Sequence, residues 1–376
     1  RKKVEEEEKL LEQTVKRLRA ILSSEKMRLD ILIEETNEIK DNFSSPRRTI
    51  ILDSEEGHQA AITVSDLVIP HEKQIVYLSS DGLERTNAQD YRESVTAGKI
   101  SSRAVKIAHH KVMVEPSETV LLVSNKGRAW FGNVGRVPQS STDAEIKLGN
   151  KERIISIDVI IPEKFLVLVT QNGNVKRIKC EDLLNVLTEA SWSTVIGLAD
   201  DNDEVLFASV TGENASILIC TSGSQENDPR ILRFSTDTVN PQATPSARGV
   251  TAIKMLSDSL VNCDIIEAGA EKDAVAVIIT DKGYIKQVNL EEFPIQGRGG
   301  QGVLCNKVTP ASGQVVGFTV LKKEKLVDIT SAKNKRLRLN QKDIPLTNRP
   351  GKGLDLAAKY GNGKELFSDD PIAGLY

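Results

Sequence analysis

The sequence has few cysteines, histidines and aromatic residues, and it has no long apolar run. Its 376 residues include four cysteines, four histidines and 4% aromatic residues. The cysteines form no Cys-x-x-Cys pair, so neither a zinc site nor a dense disulfide framework is indicated. We predict that all four are small buried hydrophobic residues. They are Cys180, Cys220, Cys263 and Cys305. No stretch approaches the length that crosses a bilayer, and no secretory signal opens the chain.

Signatures of catalysis are also missing. The histidines His58, His71, His109 and His110 show no metal-ligand spacing. Neither a His-Glu-x-x-His motif nor a nucleophile elbow occurs, and the five tyrosines are expected to be packing or surface residues. We therefore predict no catalytic residue and no metal site on this chain.

The charge balance restricts the partners. The formal net charge is −3 and 27% of the residues are charged, so the chain has no overall attraction to polyanions. A nucleic-acid surface would have to be local, formed by uneven placement of the 50 basic residues. The low aromatic content also makes the surface poor in the Tyr and Trp anchors that protein-binding hot spots favour.

One pattern recurs along most of the chain. It consists of an apolar run, a turn containing glycine or asparagine, and a strand carrying Lys or Arg. The clearest copy is the run at 165–169, the turn Asn172-Gly173 and the pair Lys176-Arg177. The six apolar runs are residues 75–78, 120–123, 165–169, 217–220, 275–279 and 326–329. A period of roughly 45 to 60 residues is typical of a propeller or an array of β-units.

The repeat predicts a mainly β fold, a six-bladed pinwheel or propeller-like ring spanning residues 47–376. Continuous apolar runs suit strands buried on both faces, and the glycine turns supply the positive φ angles of tight hairpins. The alternative is a β-sandwich, but a sandwich would not repeat the turn and the basic residue together at this period. The approximate repeats are 73–117, 118–163, 164–213, 214–272, 273–323 and 324–376.

Residues 1–46 are predicted to form an α-helical, coiled-coil-like tail. Leu11, Val15, Leu18 and Leu22 follow the three-and-four spacing of one helical stripe. Two serines before Glu25 indicate a new helix start, so two helices or one kinked helix are expected. A proline at position 46 ends the helical pattern. Because the chain opens without methionine, we expect a fragment or a processed product.

A glycine-rich heptad is the most suggestive motif. It reads Gln296, Gly297, Arg298, Gly299, Gly300, Gln301 and Gly302. It contains the G-x-G-x-x-G spacing of a dinucleotide site, but the segment that follows is β-like and not the helix that such a site needs. The remaining alternatives are a loop whose backbone amides and arginine lie against phosphates, or a hairpin loop without a ligand.

The surroundings of the heptad carry a family resemblance. The stretches concerned are residues 18–22, 34–35, 38–40, 43, 47–49, 170–178, 245–249, 280–286, 296–302 and 348–353. In this order and spacing they resemble the helical tail and C-terminal region of the DNA gyrase A family and its type IIA topoisomerase relatives. The resemblance covers nearly the whole chain.

The resemblance implies a β-pinwheel whose basic rim binds, bends and wraps double-stranded DNA without reading its sequence. The resemblance also implies that the chain is part of an ATP-dependent topoisomerase. This enzyme would form a homodimer through an absent upstream cleavage domain and would work with a gyrase B-like ATPase. ATP and magnesium would be bound by other domains or chains, with no cofactor on this chain. The parent protein would lie in the bacterial cytoplasm at the nucleoid, or in a plastid or mitochondrion.

The predicted DNA contacts are the glycine heptad and one or two cations from most blades. Phosphate neutralisation by Lys and Arg along a curved surface is what wrapping requires. Besides the seven heptad residues, the candidates are Arg85, Arg128, Lys176, Arg177, Lys286, Arg336, Arg338, Arg349 and Lys352. For each one singly, a solvated surface charge is the alternative.

The first repeat departs from the family. Where a gyrase A protein would carry its glycine-rich box, residues 93–100 keep only Gly98 and Lys99 of the pattern. The resemblance ties that box to negative supercoiling, so its loss puts that activity in doubt. The alternatives are a divergent topoisomerase IV-like protein, a regulatory paralogue, or a propeller scaffold that binds proteins with little DNA affinity.

Overall fold

The computed structural model describes residues 2–43, 72–79, 82–91, 100–101, 108–139, 146–322, 325–333, 335–360 and 370–376. The chain divides into two compact units, Arg1–Ala61 and Ile62–Tyr376. The predicted boundary between residues 46 and 47 lies outside the described residues, as does the proline at position 46.

The described part of the first unit forms two helices, α1 (Lys2–Ser23) and α2 (Glu25–Phe43). The break falls at Ser24, whose hydroxyl oxygen accepts a hydrogen bond of 3.4 Å from the backbone N–H of Met27. The structure therefore confirms the predicted helix start at Glu25. None of the described helices is long and apolar enough to span a membrane.

The second unit is built almost entirely of short strands. The strands are β1 (Gln74–Ser79), β2 (Gly82–Asn87), β3 (Ile100–Ser101), β4 (His110–Val114), β5 (Thr119–Ser124), β6 (Arg128–Asn133), β7 (Ile154–Val159), β8 (Phe165–Thr170), β9 (Asn174–Lys179), β10 (Ser193–Thr194), β11 (Val205–Thr211), β12 (Ser216–Thr221), β13 (Arg230–Ser235), β14 (Val250–Thr251), β15 (Leu260–Ile266), β16 (Val275–Thr280), β17 (Tyr284–Asn289), β18 (Val303–Leu304), β19 (Val315–Leu321), β20 (Leu326–Ser331), β21 (Arg336–Asn340), β22 (Leu354–Asp355) and β23 (Ile372–Leu375). Helix α3 (Cys180–Val186) follows β9, and α4 (Leu356–Tyr360) follows β22.

The strands form six sheets, one per blade of the predicted ring. From the inner to the outer strand, the sheets that show four strands are β7-β5-β6-β10, β11-β8-β9-β14, β15-β12-β13-β18, β19-β16-β17-β22 and β23-β20-β21-β3. The sheet of the first blade shows β4, β1 and β2. The six-bladed ring predicted from the repeat is confirmed.

Each outermost strand comes from the chain segment of the next blade. Strand β10, for example, follows β9 in sequence but pairs with β6 of the preceding sheet. The last such exchange closes the ring, because Ile100 and Ser101 pair with Leu337 and Arg336 of the sixth sheet. A contiguous repeat therefore supplies three strands to its own sheet and one to its neighbour.

The predicted apolar runs form the central strands of the sheets. All six residues of β8, β12 and β16 are buried, as expected for strands covered on both faces. The four cysteines are free and buried, which confirms their predicted role. Apolar burial between adjacent sheets thus holds neighbouring blades together.

The inner strands surround the ring axis. Five of them carry a register shift at the same place, and each shift leaves one residue unpaired. These residues are Ile155, Leu206, Val261, Val316 and Ala373, and all five line an axial cavity of about 400 Å³. The ring closes near His109, whose ring centre lies 4.3 Å from that of Tyr376.

Partly buried carboxyl groups connect neighbouring inner strands. Asp158 in β7 accepts a hydrogen bond of 3.0 Å from the backbone N–H of Val210 in β11. Asp264 in β15 does the same with Val320 in β19, at 2.7 Å. Burial raises the pKa of Asp158 to about 7 against the partial opposition of these hydrogen bonds, and burial also raises the pKa of Asp264.

We expect Asp158→Asn to stabilise the ring more at high pH than at low pH. A carboxyl group whose pKa is raised in the folded state makes the fold less stable as the pH rises. The loss begins near pH 4, where this group ionises in the unfolded chain, and continues to about pH 7, where it ionises in the folded one. The amide of the variant does not ionise. The increase in unfolding free energy that Asp158→Asn gives should therefore be roughly 2 kcal/mol larger at pH 8 than at pH 5. Urea titrations at both pH values measure it. The control, Asp201→Asn at an exposed position, should show no such difference.

Candidate nucleic-acid interface

Three loops on successive blades share one conformation at the outer edge of the ring. The rim loops, as we call them, are residues 244–249, 296–302 and 348–353, and they lead into β14, β18 and β22. Each contains a turn closed by one backbone hydrogen bond. These bonds run from the N–H of Ala247 to the carbonyl of Thr244 (3.1 Å), from Gly300 to Gly297 (3.4 Å) and from Gly351 to Asn348 (2.9 Å).

The last residue of every rim loop is glycine because the loop crosses a neighbouring strand closely. Gly302 has φ of +80°, and an added Cβ would lie 2.6 Å from the carbonyl oxygen of Ile231. Gly249 and Gly353 have the same conformation and the same close approach to the strand beneath them. Only glycine fits this crossing.

Two predicted DNA contacts lie beneath the rim loops. Lys176 and Lys286 are 0% and 2% exposed. The ammonium of Lys176 donates to the carbonyl oxygens of Val195 and Thr244, both at 2.7 Å, and of Pro245 at 3.3 Å. Burial lowers its pKa to about 8, so it is charged at pH 7.

Lys286 occupies the equivalent position two blades further on. Its ammonium donates to the side-chain oxygen of Asn306 at 3.1 Å, and to the carbonyl oxygens of Arg349 and, at 2.7 Å, Gly351. Burial lowers its pKa to about 8 as well. The prediction for Lys176 and Lys286 is therefore corrected, because side chains that are buried and bonded to carbonyls anchor the rim loops from behind and cannot reach a phosphate.

Three arginines of the predicted set are also buried. Arg177 lies 3.7 Å from the centre of the Phe165 ring and forms an ion pair of 2.7 Å with Asp237. Arg338 is paired with Asp328 at 2.6 Å, and Arg336 is 5% exposed. These three predictions are corrected too: the arginines lie in the third strand of their sheets and are at most 5% exposed.

Two further arginines of the set, in the first two blades, are engaged within the ring. Arg85 donates from Nε to the carbonyl of Val137 at 2.5 Å and so connects the first blade to the second. Arg128 is bound to Glu152 through two hydrogen bonds, one of them 2.9 Å long. Burial opposes ionisation of Glu152, but hydrogen bonds from Arg128, Ser124 and a backbone amide outweigh it and lower the pKa to about 2.

The remaining predicted cations lie at the surface of the rim loops. Arg298 is partly exposed, and its guanidinium is oriented by the carbonyl oxygens of Thr251 (2.5 Å) and Thr238 (3.4 Å) of the preceding segment. Arg349 is 34% exposed and lies 3.6 Å from Glu292. Lys352 is exposed, with its ammonium 4.3 Å from the centre of the Tyr284 ring.

The heptad itself is held mainly by its backbone. Gln296 donates its N–H to the carbonyl of Arg233 at 2.8 Å, and Gly299 donates to Ala252 at 2.7 Å. Gly300 accepts from the backbone of Lys254, and Gln301 accepts from the Arg230 guanidinium, both at 2.9 Å. Gly297, in contrast, is exposed, and an added Cβ would meet nothing within 4 Å. The loop is thus an ordered element with one open face.

Two exposed cations, one within a rim loop and one beside it, are absent from the set predicted from the sequence. Arg248 precedes Gly249, at the loop position that Gln301 and Lys352 occupy in the next two blades. Lys254 lies just beyond β14, next to the heptad. The signal for Arg248 was the Arg-Gly pair in residues 245–249, whereas Lys254 is brought to the rim only by the fold. Residues 93–99, where the first-blade box is altered, lie outside the described residues.

No described group of three or more His, Cys, Asp or Glu residues is placed to hold a metal ion. The rim loops instead offer cations and backbone amides. That combination suits anionic groups such as phosphates.

The model of the family described as "DNA gyrase C-terminal domain, beta-propeller" matches residues 164–211 and 276–322. The DNA gyrase A protein of Staphylococcus epidermidis is 27% identical over 97% of this chain, and that of Aminobacterium colombiense is 28% identical over 94%. The chain is similar to DNA gyrase A proteins over nearly its whole length.

Solved structures of C-terminal domains of this kind have the same fold as this chain. A DNA gyrase A C-terminal domain aligns with a TM-score of 0.61 at 20% identity, covering 81% of this chain and 99% of its own. The C-terminal domain of DNA topoisomerase IV aligns with a TM-score of 0.64 at 21% identity, covering 82% and 94%. The chain spans 41% and 43% of the length of the two gyrase A relatives named above.

We expect Lys176→Met to destabilise the ring by about 3 kcal/mol, because the carbonyl groups of Val195, Thr244 and Pro245 would lose the hydrogen bonds that the ammonium donates. The matched control is Lys179→Met, an exposed lysine in the same strand, which should change the unfolding free energy by less than about 0.5 kcal/mol. Urea unfolding compares the two. Equal losses for both variants would contradict an anchoring role for Lys176.

Substitutions within the heptad should separate backbone strain from close packing. Gly299 and Gly302 have φ of +78° and +80°, but only Gly302 lies against a neighbouring strand. Gly299→Ala should therefore lower the free energy of unfolding by about 1 kcal/mol, from the strained φ alone. Gly302→Ala should lower it by about 2 kcal/mol more, because the added Cβ also meets the neighbouring strand. Thermal unfolding of the two variants is the measurement, and Gly299→Ala being as costly as Gly302→Ala would argue against the close crossing.

Proposed function

We propose that this chain binds duplex DNA of mixed sequence along its rim loops and bends it around the outer edge of the ring. The observation that carries the proposal is the recurrence of one loop conformation on three successive blades, each with an accessible cation. These cations are Arg248, Arg298, Arg349 and Lys352, with Lys254 beside them. Similarity to DNA gyrase A proteins supports the same function.

The physical basis is phosphate neutralisation along a curved surface. Contacts to phosphates supply affinity and register without reading bases, and they release counterions from the DNA. The arginine of the heptad is oriented by two carbonyl oxygens, so less side-chain freedom is lost when it binds a phosphate. A net charge of −3 requires that this attraction be confined to the rim.

For the parent protein we propose the role of a gyrase-A-like component of an ATP-dependent type IIA topoisomerase in the bacterial nucleoid. DNA cleavage, dimerisation and binding of ATP and magnesium would then belong to other domains and to a gyrase B-like partner. Similarity to DNA gyrase A proteins favours this role over a protein-binding scaffold. The rim of this chain would supply the DNA segment on which the enzyme acts.

The chain should bind mixed-sequence duplex DNA with an affinity that falls at least about 1,000-fold between roughly 50 and 200 mM salt. Arg298→Ala should weaken binding and reduce the slope of log affinity against log salt by about one, because one phosphate contact is lost. Fluorescence anisotropy over a salt series measures both. The control is Lys272→Ala, an exposed lysine between β15 and β16, which should bind as the parent chain does. No binding at low salt would reject the proposed function.

A further inference from the structure

Two large aliphatic side chains are exposed next to the rim loops. Ile295 is 59% exposed and Leu346 is 57% exposed. A single exposed aliphatic residue on a protein surface needs no explanation. Here, however, the two occupy the same position in adjacent blades, so a shared function is a better account than chance.

The equivalence is visible in both sequence and backbone. Ile295 follows the buried Phe293 and a proline, and Leu346 follows the buried Ile344 and a proline. Ile295 forms a parallel bridge with Arg233, whereas Leu346 forms one with Gln287 of the next blade. The residue after each donates its N–H to that same strand residue, at 2.8 and 2.9 Å.

These contacts fix the two side chains at the outer edge of their sheets. Ile295 and the short strand β18 pair with the same strand, β13, and the heptad connects them. Leu346 and β22 share β17 in the same way. A bulky apolar group is therefore held on a rigid backbone at the start of each rim loop.

Each aliphatic residue lies three positions before an arginine of the candidate interface. Ile295 is followed by Arg298, and Leu346 is followed by Arg349. Three residues span at most about 10 Å, so a DNA segment bound to the arginine passes within reach of the aliphatic side chain. In the preceding blade, the equivalent place is taken by Pro241, because the next residue, Gln242, makes the corresponding backbone bond to Arg177 at 2.8 Å.

We propose that Ile295 and Leu346 are apolar wedges that press against base steps of the bound duplex and localise its bending at two adjacent blades. The inference depends on the DNA-binding function proposed above. Proteins that bend DNA commonly combine cations on the phosphates with an aliphatic side chain that partly unstacks a base step. The chemistry present at these two positions is the same combination.

The wedges would help to offset the free-energy cost of bending the DNA, which cations alone must otherwise offset. Smooth bending of a short duplex costs free energy that phosphate contacts must offset, and the described rim loops carry few accessible cations. A wedge concentrates the deformation at one step and covers an otherwise hydrated aliphatic surface. Flexible pyrimidine-purine steps would therefore be preferred opposite Ile295 and Leu346.

The test compares the whole chain with the double variant Ile295→Ser/Leu346→Ser. Bending is measured from energy transfer between dyes at the two ends of a duplex of about 30 base pairs, and binding by anisotropy over a salt series. The double variant should reduce the bend by at least about 20° and the affinity by about 10-fold. The slope of log affinity against log salt should not change, because no cation is removed.

A control variant and a stability measurement distinguish the outcomes. Leu326→Ser alters a comparably exposed leucine, 47% exposed, at the start of β20, and should bend and bind DNA as the parent chain does. The melting temperature of the double variant should stay near that of the parent, since both side chains are exposed. An unchanged bend would overturn the wedge inference, leave DNA binding intact and point to a protein partner for these side chains. A parent chain that fails to bind DNA would overturn both proposals.

Discussion

The pairing of each outer strand with the preceding sheet is the constraint on which the ring is organised. Every such strand is two residues long, yet it covers the edge of one blade while its chain continues into the next. In the five blades whose four strands are described, these backbone hydrogen bonds cover the edge that the third strand would otherwise expose. The rim loops exist because the chain must turn sharply to enter these strands, and their final glycines follow from the closeness of that crossing.

The buried cations serve this architecture. The ammonium groups of Lys176 and Lys286 donate hydrogen bonds to carbonyl oxygens of the rim loops and so tie these loops to the strands beneath them. Each lysine thus holds in place the loop whose outer face carries an exposed cation. The exposed cations therefore depend on the buried lysines for their position. The two sets of basic residues are not interchangeable.

The repeat pattern was sufficient to predict the β-ring, its six central strands and the buried cysteines, because apolar runs and glycine turns are local properties. It was not sufficient for the site. Lys176 and Arg298 look alike in sequence as basic residues near a turn, but strand exchange buries the first and exposes the second. Lys254 carries no motif and reaches the rim only because β14 folds onto the preceding sheet. Burial of a cation depends on contacts between distant segments, which local spacing does not encode.

The exchange of outer strands also has a mechanical consequence. A rim loop is hydrogen-bonded to one blade and covalently continuous with the next, so an outward pull on it loads two blades at once. Tension in a stiff polymer wound around the circumference would be shared between neighbours, and no blade could be peeled away alone. The ring should therefore resist tension along its circumference as one unit.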